Sequence, residues 1–332
     1  MTDRTLEGSQ QLKLISFSCF RFLLLFLSIW VLFFIVDRRF PYIRPGAEIV
    51  LTSKREAISS GKLFAPESSI RVAVFGDSRV LSGFIPEVFD RTVGNSVASY
   101  NLGLPDTKVF LKMLESFASA EANPTHVLLT LPWSEKEDQA GYFELLQDDR
   151  LIINSIFPFR NFPRNLTLFT YQSLRSGGFR NTYESARGKE IQILNSRGYY
   201  FIEQQSHFPN HELPDDYRLP TDTPGNSYVR DIRVGSESFS RLIALAEAKN
   251  FKILFVPAMY RRGTWLENDK PNIVSSTAVK NISRVVVLGP DAWFYENRYF
   301  SDPVHLNPRG AERYTRELAE LFSAHLGIKN QE

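Results

Sequence analysis

Residues 70–83 read IRVAVFGDSRVLSG, and this stretch decides how the rest of the chain is interpreted. The run IRVAVF (Ile70–Phe75) is apolar and β-branched, which predicts a strand of a parallel sheet that is covered on both faces. Gly76 permits a tight turn after the strand, and Asp77 can fix that turn through a hydrogen bond to nearby backbone. Ser78 then lies just past the carboxyl end of the strand, where ligands meet open α/β sheets. Ser78 is therefore a candidate nucleophile whose own N–H, at the start of a helix, can act as an oxyanion donor.

Similar apolar runs recur along the chain, with helical patterns between them. The runs are THVLLTL (Thr125–Leu131), KILFVP (Lys252–Pro257) and SRVVVLG (Ser283–Gly289), and the helical patterns begin at Asp106, Ser236 and Pro308 and end near Pro124, Lys249 and Leu326. This alternation predicts an α/β domain over residues 70–327, a three-layer α/β/α sandwich with a mainly parallel sheet. Residues 139–232 interrupt the alternation, and we interpret them as an insertion or cap over the sheet edge.

The closing loop of this domain carries an acid and an imidazole. The stretch YFSDPVHLNPRGAERYTREL (299–318) places Asp302 three positions before His305. On a loop, this spacing lets the carboxylate hold one imidazole nitrogen and leave the other free, which is half of a catalytic triad. In the alternative interpretation, Asp-Pro only initiates a turn, Asn307 caps the last helix and His305 has no catalytic role. The triad hypothesis requires a nucleophile from elsewhere in the chain.

The N-terminal region contains a candidate membrane anchor. Leu14–Val36 is apolar with Arg21 as its only charge, and it is long enough to span a bilayer as a helix. No small-residue cleavage site follows, so we expect an uncleaved anchor and not a signal peptide, with a buried core helix as the alternative. Residues 1–13 would be a short tail, and residues 37–69 a stalk with one short helix from Ala47 to Ser59. Basic residues flank the apolar segment almost equally on both sides, so charge does not set its orientation.

Composition excludes several classes of function. The 332-residue chain has a formal net charge of +2, so we expect no nucleic-acid partner. Cys19 is its one cysteine, which excludes an intramolecular disulfide and a cysteine metal cluster. His207 and His211 have the spacing of metal ligands on a helix, but Pro209 between them breaks such a helix. No G-x-G-x-x-G follows the first strand, which argues against a dinucleotide-binding enzyme. We therefore expect neither a metal nor a cofactor.

Two motifs together carry a resemblance to a known family. GDS at 76–78, near the start of the domain, and DxxH at 302–305, near its end, resemble the SGNH (GDSL-like) hydrolase superfamily. The resemblance covers the α/β domain apart from its middle insertion. It implies that Ser78 is the nucleophile, His305 the general base and Asp302 the partner that orients the base.

The same resemblance implies an oxyanion hole. Its donors would be the N–H of Ser78 and the N–H of Gly103, in the tripeptide Asn101-Leu102-Gly103 that follows a short strand. The family's third block, G-x-N-D, should follow the strand that ends at Leu131, but this chain reads LPWSE there. The usual asparagine donor is therefore missing. Candidate replacements are the indole N–H of Trp133, the hydroxyls of Ser134 and Ser82, and the side chain of Asn101.

The anchor, the stalk and the closing DPVHLNPRGA look more like the membrane-anchored, SGNH-like proteins of cell-surface polysaccharide assembly than like a secreted lipase. These include the alginate acetylation proteins and the D-alanylation protein of teichoic acids. The resemblance implies a single-pass protein of the cytoplasmic membrane with a periplasmic domain. It would be an O-acyltransferase or esterase acting on acyl groups of envelope or secreted polysaccharide. Its partners would be an acylated glycan or acyl donor and polysaccharide-assembly proteins. The alternative is a catalytically inactive glycan-binding or scaffold protein, which the missing asparagine favours.

Overall fold

The computed structural model describes residues 3–65, 67–94, 96–105, 110–117, 123–130, 159, 161–201, 206–219, 235, 237–262, 279, 282–290 and 292–328. The chain forms two compact units. Unit 1 comprises Met1–Pro45 and Asp148–Arg187, and unit 2 comprises Gly46–Gln147 and Gly188–Glu332.

Unit 2 contains two parallel sheets. The strands of the larger sheet are β1 (Ile70–Phe75), β2 (Val97–Asn101), β3 (His126–Leu129), β4 (Lys252–Phe255) and β6 (Val285–Val287). These five strands pair in the order β2-β1-β3-β4-β6. A second sheet consists of β5 (Ala258–Arg261) and β7 (Ala292–Tyr295). The expected α/β fold with a mainly parallel sheet is confirmed, whereas the two-stranded sheet was not predicted.

The helices of unit 2 are α2 (Gly46–Ser59), α3 (Ser78–Gly83), α4 (Pro86–Val93), α5 (Phe110–Glu115), α8 (Glu237–Lys249) and α9 (Pro308–Leu326). Short 3-10 turns cover Pro209–His211 and Asn297–Tyr299. The bounds of α8 and α9 agree with the sequence patterns to within a residue. The helix expected to begin at Asp106 is described only from Phe110 onward as α5, and its predicted start lies outside the described residues.

Both faces of the five-stranded sheet are covered by apolar side chains. Neighbouring residues of a strand point to opposite faces. Val72 and Val74 accordingly join a cluster with α4 and α9, whereas Ala73 and Phe75 join a second cluster with α2, α5 and α8. All four of these side chains are fully buried. Burial on both faces is the reason why β1 reads as a continuous apolar run rather than an alternating one.

The segment expected to be a stalk is partly core. Ile49, Val50, Leu51 and Ile58 of α2 are each at most 4% exposed, and three of them pack in the same cluster as β1. The apolar residues of α2 recur at helical spacing, which gives the helix one face to bury. The predicted short helix is present, but it belongs to the folded unit and is not a spacer.

Unit 1 is helical in its described residues. α1 (Asp3–Arg39) extends through most of the segment expected to be an N-terminal tail, and its part Ser16–Arg39 is long and apolar enough to cross a membrane. α6 (Phe162–Arg175) also belongs to this unit, and α7 (Phe179–Asn195) begins in it. The predicted insertion 139–232 is therefore divided between the two units.

Candidate functional site

Ser78 is positioned by a close approach of β1 to α3. A Cβ atom on Gly76 would lie 2.1 Å from Cγ2 of Val80, so only glycine fits between the strand and the helix. Asp77 is the N-cap of α3, and its carboxylate accepts from the N–H of Arg79 at 2.9 Å. Ser78 is the first residue of the helix, at the carboxyl end of β1. The predicted role of Asp77 is confirmed, whereas Gly76 is needed for the close approach to Val80.

The loop that carries His305 is closed by hydrogen bonds at its base. Phe300 and Leu306 form an antiparallel bridge, and the carbonyl of His305 accepts from the N–H of Ser301 at 2.9 Å. Asn307 caps α9 as predicted, because its side-chain oxygen accepts from the N–H three residues later at 2.9 Å. The imidazole is therefore held by a short loop that backbone hydrogen bonds close at its base and that leads directly into a long, buried helix.

The structure brings Ser78, His305 and Asp302 into one hydrogen-bonded row. Nε2 of His305 lies 2.8 Å from Oγ of Ser78, and Nδ1 lies 2.8 Å from Oδ2 of Asp302. The other carboxylate oxygen of Asp302 accepts from the backbone N–H groups of Val304 and His305, both at 2.8 Å. The side chains of His305 and Asp302 are each only 13% exposed. Residues from the two ends of the domain thus meet at one place.

The ionisation of Asp302 fixes the proton on the imidazole. Burial alone would raise the pKa of this carboxyl, but the hydrogen bond and charge of His305 and the two backbone N–H groups outweigh it, and the pKa is lowered. An ionised carboxylate can only accept, so Nδ1 of His305 carries a proton and donates it. Nε2 is then free to accept the Ser78 hydroxyl proton, which is the orientation that a general base needs.

Two of the expected oxyanion donors have partners within the protein. The N–H of Gly103 donates to Oδ1 of Asn101 at 2.9 Å. The Asn101 amide nitrogen donates to the carbonyls of Val80 and Phe84 at 2.8 Å, and to that of Leu81 at 3.2 Å. Asn101 therefore binds the carbonyls at the end of α3. In this arrangement both residues support the helix that carries Ser78, and neither presents an unused donor.

The remaining candidate donors divide into three cases. The N–H of Ser78 has no acceptor among the described residues, so it stays available. The hydroxyl of Ser82 donates to the carbonyl of Ser78 at 3.0 Å and is fully buried, which makes it part of the support of α3. Trp133 and Ser134 lie outside the described residues.

A buried lysine behind this site was not predicted from the sequence. Lys54 of α2 is fully buried, and its Nζ donates to the carbonyl of Gly103 at 2.5 Å and lies 3.4 Å from Oδ1 of Asn101. Burial lowers its pKa well below the ordinary value. Lys54 shares a helical stripe with Val50 and Ile58, and a charge on an apolar stripe was the sequence signal that could have identified it.

Arg79, next to the candidate nucleophile, is held in an ion pair. Its Nε lies 2.9 Å from Oδ2 of Asp77, and its guanidinium lies 4.9 Å above the ring of Tyr260. Burial alone would lower the pKa of Arg79, but the Asp77 carboxylate and Tyr260 outweigh it and raise that pKa. An ion pair of Arg79 and Asp77 therefore lies at the start of α3.

No group of three or more metal-ligating side chains occurs within the described part of the chain. In the comparisons with known proteins, no family model matches the chain and no curated protein is significantly similar to it. The functional conclusion therefore depends on the geometry of the site.

Proposed function

We propose that this chain is a serine acyl-ester enzyme, an O-acyltransferase or esterase, with Ser78 as nucleophile, His305 as general base and Asp302 as its orienting partner. The observation that carries the proposal is the row of two 2.8 Å hydrogen bonds from Ser78 through His305 to Asp302. A serine that is hydrogen-bonded to a base, with that base oriented by a third group, is the signature of an activated nucleophile.

In the proposed reaction, Oγ of Ser78 attacks the ester carbonyl while its proton passes to Nε2 of His305. The tetrahedral intermediate then collapses, and the leaving alcohol takes that proton as its bond to the acyl carbon breaks. The acyl-enzyme is resolved by water or by a sugar hydroxyl, which gives its proton to His305 as it attacks. Ser78 recovers the proton when it leaves. Hydrolysis and transfer differ only in which acceptor enters the site.

The position of the triad in the sheet supports a substrate-binding role. In the order β2-β1-β3-β4-β6, β2 lies on one side of β1 and the later strands lie on the other, so the strand order reverses at β1. Open α/β sheets bind ligands outside the carboxyl ends of the strands at this switch point. Ser78 follows β1 at that place. An ester bound beyond the carboxyl ends of the strands would lie next to the Ser78 hydroxyl.

We also propose that unit 2 is a three-layer α/β/α sandwich of the SGNH (GDSL-like) type. The support is the pair of apolar clusters formed by alternate residues of the same strands, together with GDS after the first strand and DxxH before the last helix. The departure from the family pattern is the absence of a free Gly103 N–H and of the third-block asparagine.

We further propose that α1 anchors the protein in the cytoplasmic membrane as a single span, with unit 2 on the periplasmic side. The support for the anchor is the length and apolarity of Ser16–Arg39, of which no part is buried. The proposed substrates are acyl groups on envelope or secreted polysaccharide. This substrate class rests on the resemblance to the membrane-anchored, SGNH-like proteins of cell-surface polysaccharide assembly.

Release of acetate from a chromogenic ester by the full-length chain in detergent tests the proposed chemistry. Ser78→Ala should reduce turnover by at least about 10³-fold, since the nucleophile is lost. Ser59→Ala is the matched control, because that serine is exposed on α2 and should leave the rate unchanged. Equal rates for the protein and Ser78→Ala would refute the nucleophile assignment.

A second candidate is a non-catalytic, glycan-binding or scaffold protein with the same fold. The observation that favours it is that the donors of Gly103 and Asn101 are used inside the protein. In that case the folded protein should show no ester turnover, and its binding to acetylated polysaccharide should be unchanged by Ser78→Ala. Loss of turnover in Ser78→Ala from a measurable starting rate would eliminate this candidate.

A further inference from the structure

A cavity in unit 1 lies where α1 ends. Its volume is about 500 Å³, and its lining includes Arg39 at the end of α1 and the following Phe40 and Ile43. The helices α6 and α7 line it with three aromatic rings and a second arginine, namely Phe169, Phe179, Tyr183 and Arg180. The cavity therefore combines two guanidinium groups with aromatic walls.

The two arginines of this cavity have no acidic partner among the described residues. The nearby acids are engaged elsewhere, since Asp37 pairs with Arg44 at 3.3 Å and Glu184 with Arg187 at 3.8 Å. No described Asp or Glu lines the cavity. Two guanidinium groups that no described carboxylate neutralises present a site for an anion, and guanidinium matches the geometry of phosphate oxygens.

The depth of α6 relative to α1 indicates where this cavity lies. Phe159 packs on Trp30 and Phe33 with ring centroids 5.6 and 5.8 Å apart, and Phe162 packs on Phe33 at 5.9 Å. At 1.5 Å per residue, these contacts lie about 9 to 14 Å along α1 from Arg39, within the apolar part of the helix. If α1 spans a membrane, the start of α6 lies at membrane depth and Arg39 lies at the head groups.

Several large apolar side chains of α6 and the start of α7 are exposed. Leu174 is 78% exposed and Phe179 is 55% exposed, and Leu166, Leu168 and Tyr171 are also exposed. Such residues are unfavourable in water but are typical of a helix that lies in the membrane interface. Phe179 belongs both to this exposed set and to the cavity lining, so an anion bound in the cavity would come from the lipid layer.

We propose that this cavity binds the phosphate head group of an anionic membrane lipid, with Arg39 and Arg180 as its cationic ligands and the surrounding aromatic rings against the glycerol and upper acyl chains. The inference rests on the proposed insertion of α1 into a membrane, but it does not require the proposed ester chemistry. Bound lipid would fix the α6–α7 corner against the end of α1.

Native mass spectrometry of the full-length protein released from detergent tests this inference, with phosphatidylglycerol and phosphatidylcholine of the same acyl chains added together. We expect retention of one phosphatidylglycerol in preference to phosphatidylcholine. The double substitution Arg39→Gln/Arg180→Gln should reduce that preference at least about tenfold. Arg38→Gln/Arg175→Gln removes the same charge from α1 and α6 outside the cavity and should preserve it. Arg180→Gln alone changes an exposed residue and should lose part of the preference for phosphatidylglycerol. It keeps the test valid if the double variant fails to fold.

Three results would overturn the inference. They are equal losses in the two double variants, which indicates surface charge alone; no preference in the unaltered protein; or displacement of the lipid by excess inorganic phosphate, which indicates free phosphate as the ligand. Ser78→Ala should bind lipid normally, so a failure of the ester hypothesis leaves this result unchanged. Carbonate extraction of membranes tests the anchoring by α1 separately, because an unanchored chain would be released.

Discussion

Asp302 determines how His305 can act. Its carboxylate accepts from Nδ1 of the imidazole and from two backbone N–H groups, so both the ring orientation and the position of its proton depend on this one side chain. An amide at this position could donate to Nδ1 and so stabilise the wrong tautomer, in which Nε2 carries the proton and cannot accept from Ser78.

Asp302→Asn should therefore lower kcat for ester hydrolysis by about 10⁴-fold with little effect on stability, because the size of the side chain is preserved. Steady-state turnover of the chromogenic ester, together with thermal unfolding, measures both effects. Asp216→Asn changes an exposed aspartate outside the site and should behave like the unaltered protein. A fall of less than about threefold in Asp302→Asn would show that His305 does not need this partner.

At the residue scale, the sequence predicts that Ser78, His305 and Asp302 act together. It does not predict the hydrogen-bond partners of the expected oxyanion donors. GDS and DxxH are short local patterns, and each places its side chains by the turn that it forms. The roles of Gly103 and Asn101 depend on which carbonyls lie opposite them. The carbonyls at the end of α3 accept hydrogen bonds from the Asn101 amide. That contact exists only after β2 and α3 have packed together.

At the scale of elements, α2 is tied to the site by Lys54. This helix contributes apolar side chains to the core, and Lys54 reaches through that core to the carbonyl of Gly103. A buried ammonium group that is paired with no described carboxylate is costly, which is why burial lowers its pKa. The hydrogen bond to the Gly103 carbonyl offsets part of that cost.

The lowered pKa of Lys54 predicts a pH dependence of stability. The folded state holds fewer protons at this site than the unfolded state, whose lysine keeps the ordinary value of 10.5. Stability should then rise with pH between the lowered pKa of the folded state and the ordinary value. The free energy of unfolding of the unaltered protein should increase relative to that of Lys54→Met as the pH is raised above neutral, since methionine does not titrate.

Chemical unfolding at a series of pH values, from neutral to near the pKa of free lysine, measures this difference. Lys62→Met removes an exposed lysine near the end of the same segment and should run parallel to the unaltered protein. A constant difference between the unaltered protein and Lys54→Met across this range would mean that folding does not change the protonation of Lys54.

The elements that the sequence predicts best are those with a strong period or a continuous apolar run. The buried strands of the main sheet and the last two helices are of this kind. The strands β5 and β7 are short, and Ala258–Arg261 follows Pro257 directly, so the pattern gives no separate signal for them. For α2, the flanking prolines and glycines indicated a spacer, but the apolar face of the helix decided its burial.

At the scale of the whole molecule, the start of unit 2 determines where the chain can be shortened. A chain that begins at Gly46 retains α2, whereas a chain that begins at Ser68 loses it. Burying Ile49, Val50, Leu51 and Ile58 contributes about 1.5 to 3 kcal/mol for each side chain. Together this is comparable with the entire stability of a typical domain, about 5 to 15 kcal/mol.

We therefore expect the chain from Gly46 to fold and hydrolyse ester in detergent, and the chain from Ser68 to lose its cooperative thermal transition. Detergent is required because Phe159 and Phe162 lose the rings of α1 on which they pack. Circular dichroism melting curves of the two chains provide the comparison. A cooperative transition of unchanged midpoint in the shorter chain would show that α2 is dispensable.

The arrangement of the molecule into two units could not be predicted from sequence patterns. The segment 148–187 follows the β3 region in sequence, yet it packs with the N-terminal helix. Periodicity reveals that a helix has an apolar face but does not reveal its partner. The contacts of Phe159 and Phe162 with Trp30 and Phe33 identify that partner.

The most direct test of the central claim is the intact mass of the full-length protein after treatment with an aryl organophosphonate that reacts only with activated serines. We expect one covalent adduct per chain, located at Ser78 by peptide mapping. It should be absent in Ser78→Ala and form at least about 10³-fold more slowly in His305→Ala. Failure of the folded protein to form an adduct, or an adduct at another serine at an unchanged rate in both variants, would contradict the assignment of Ser78 as an activated nucleophile.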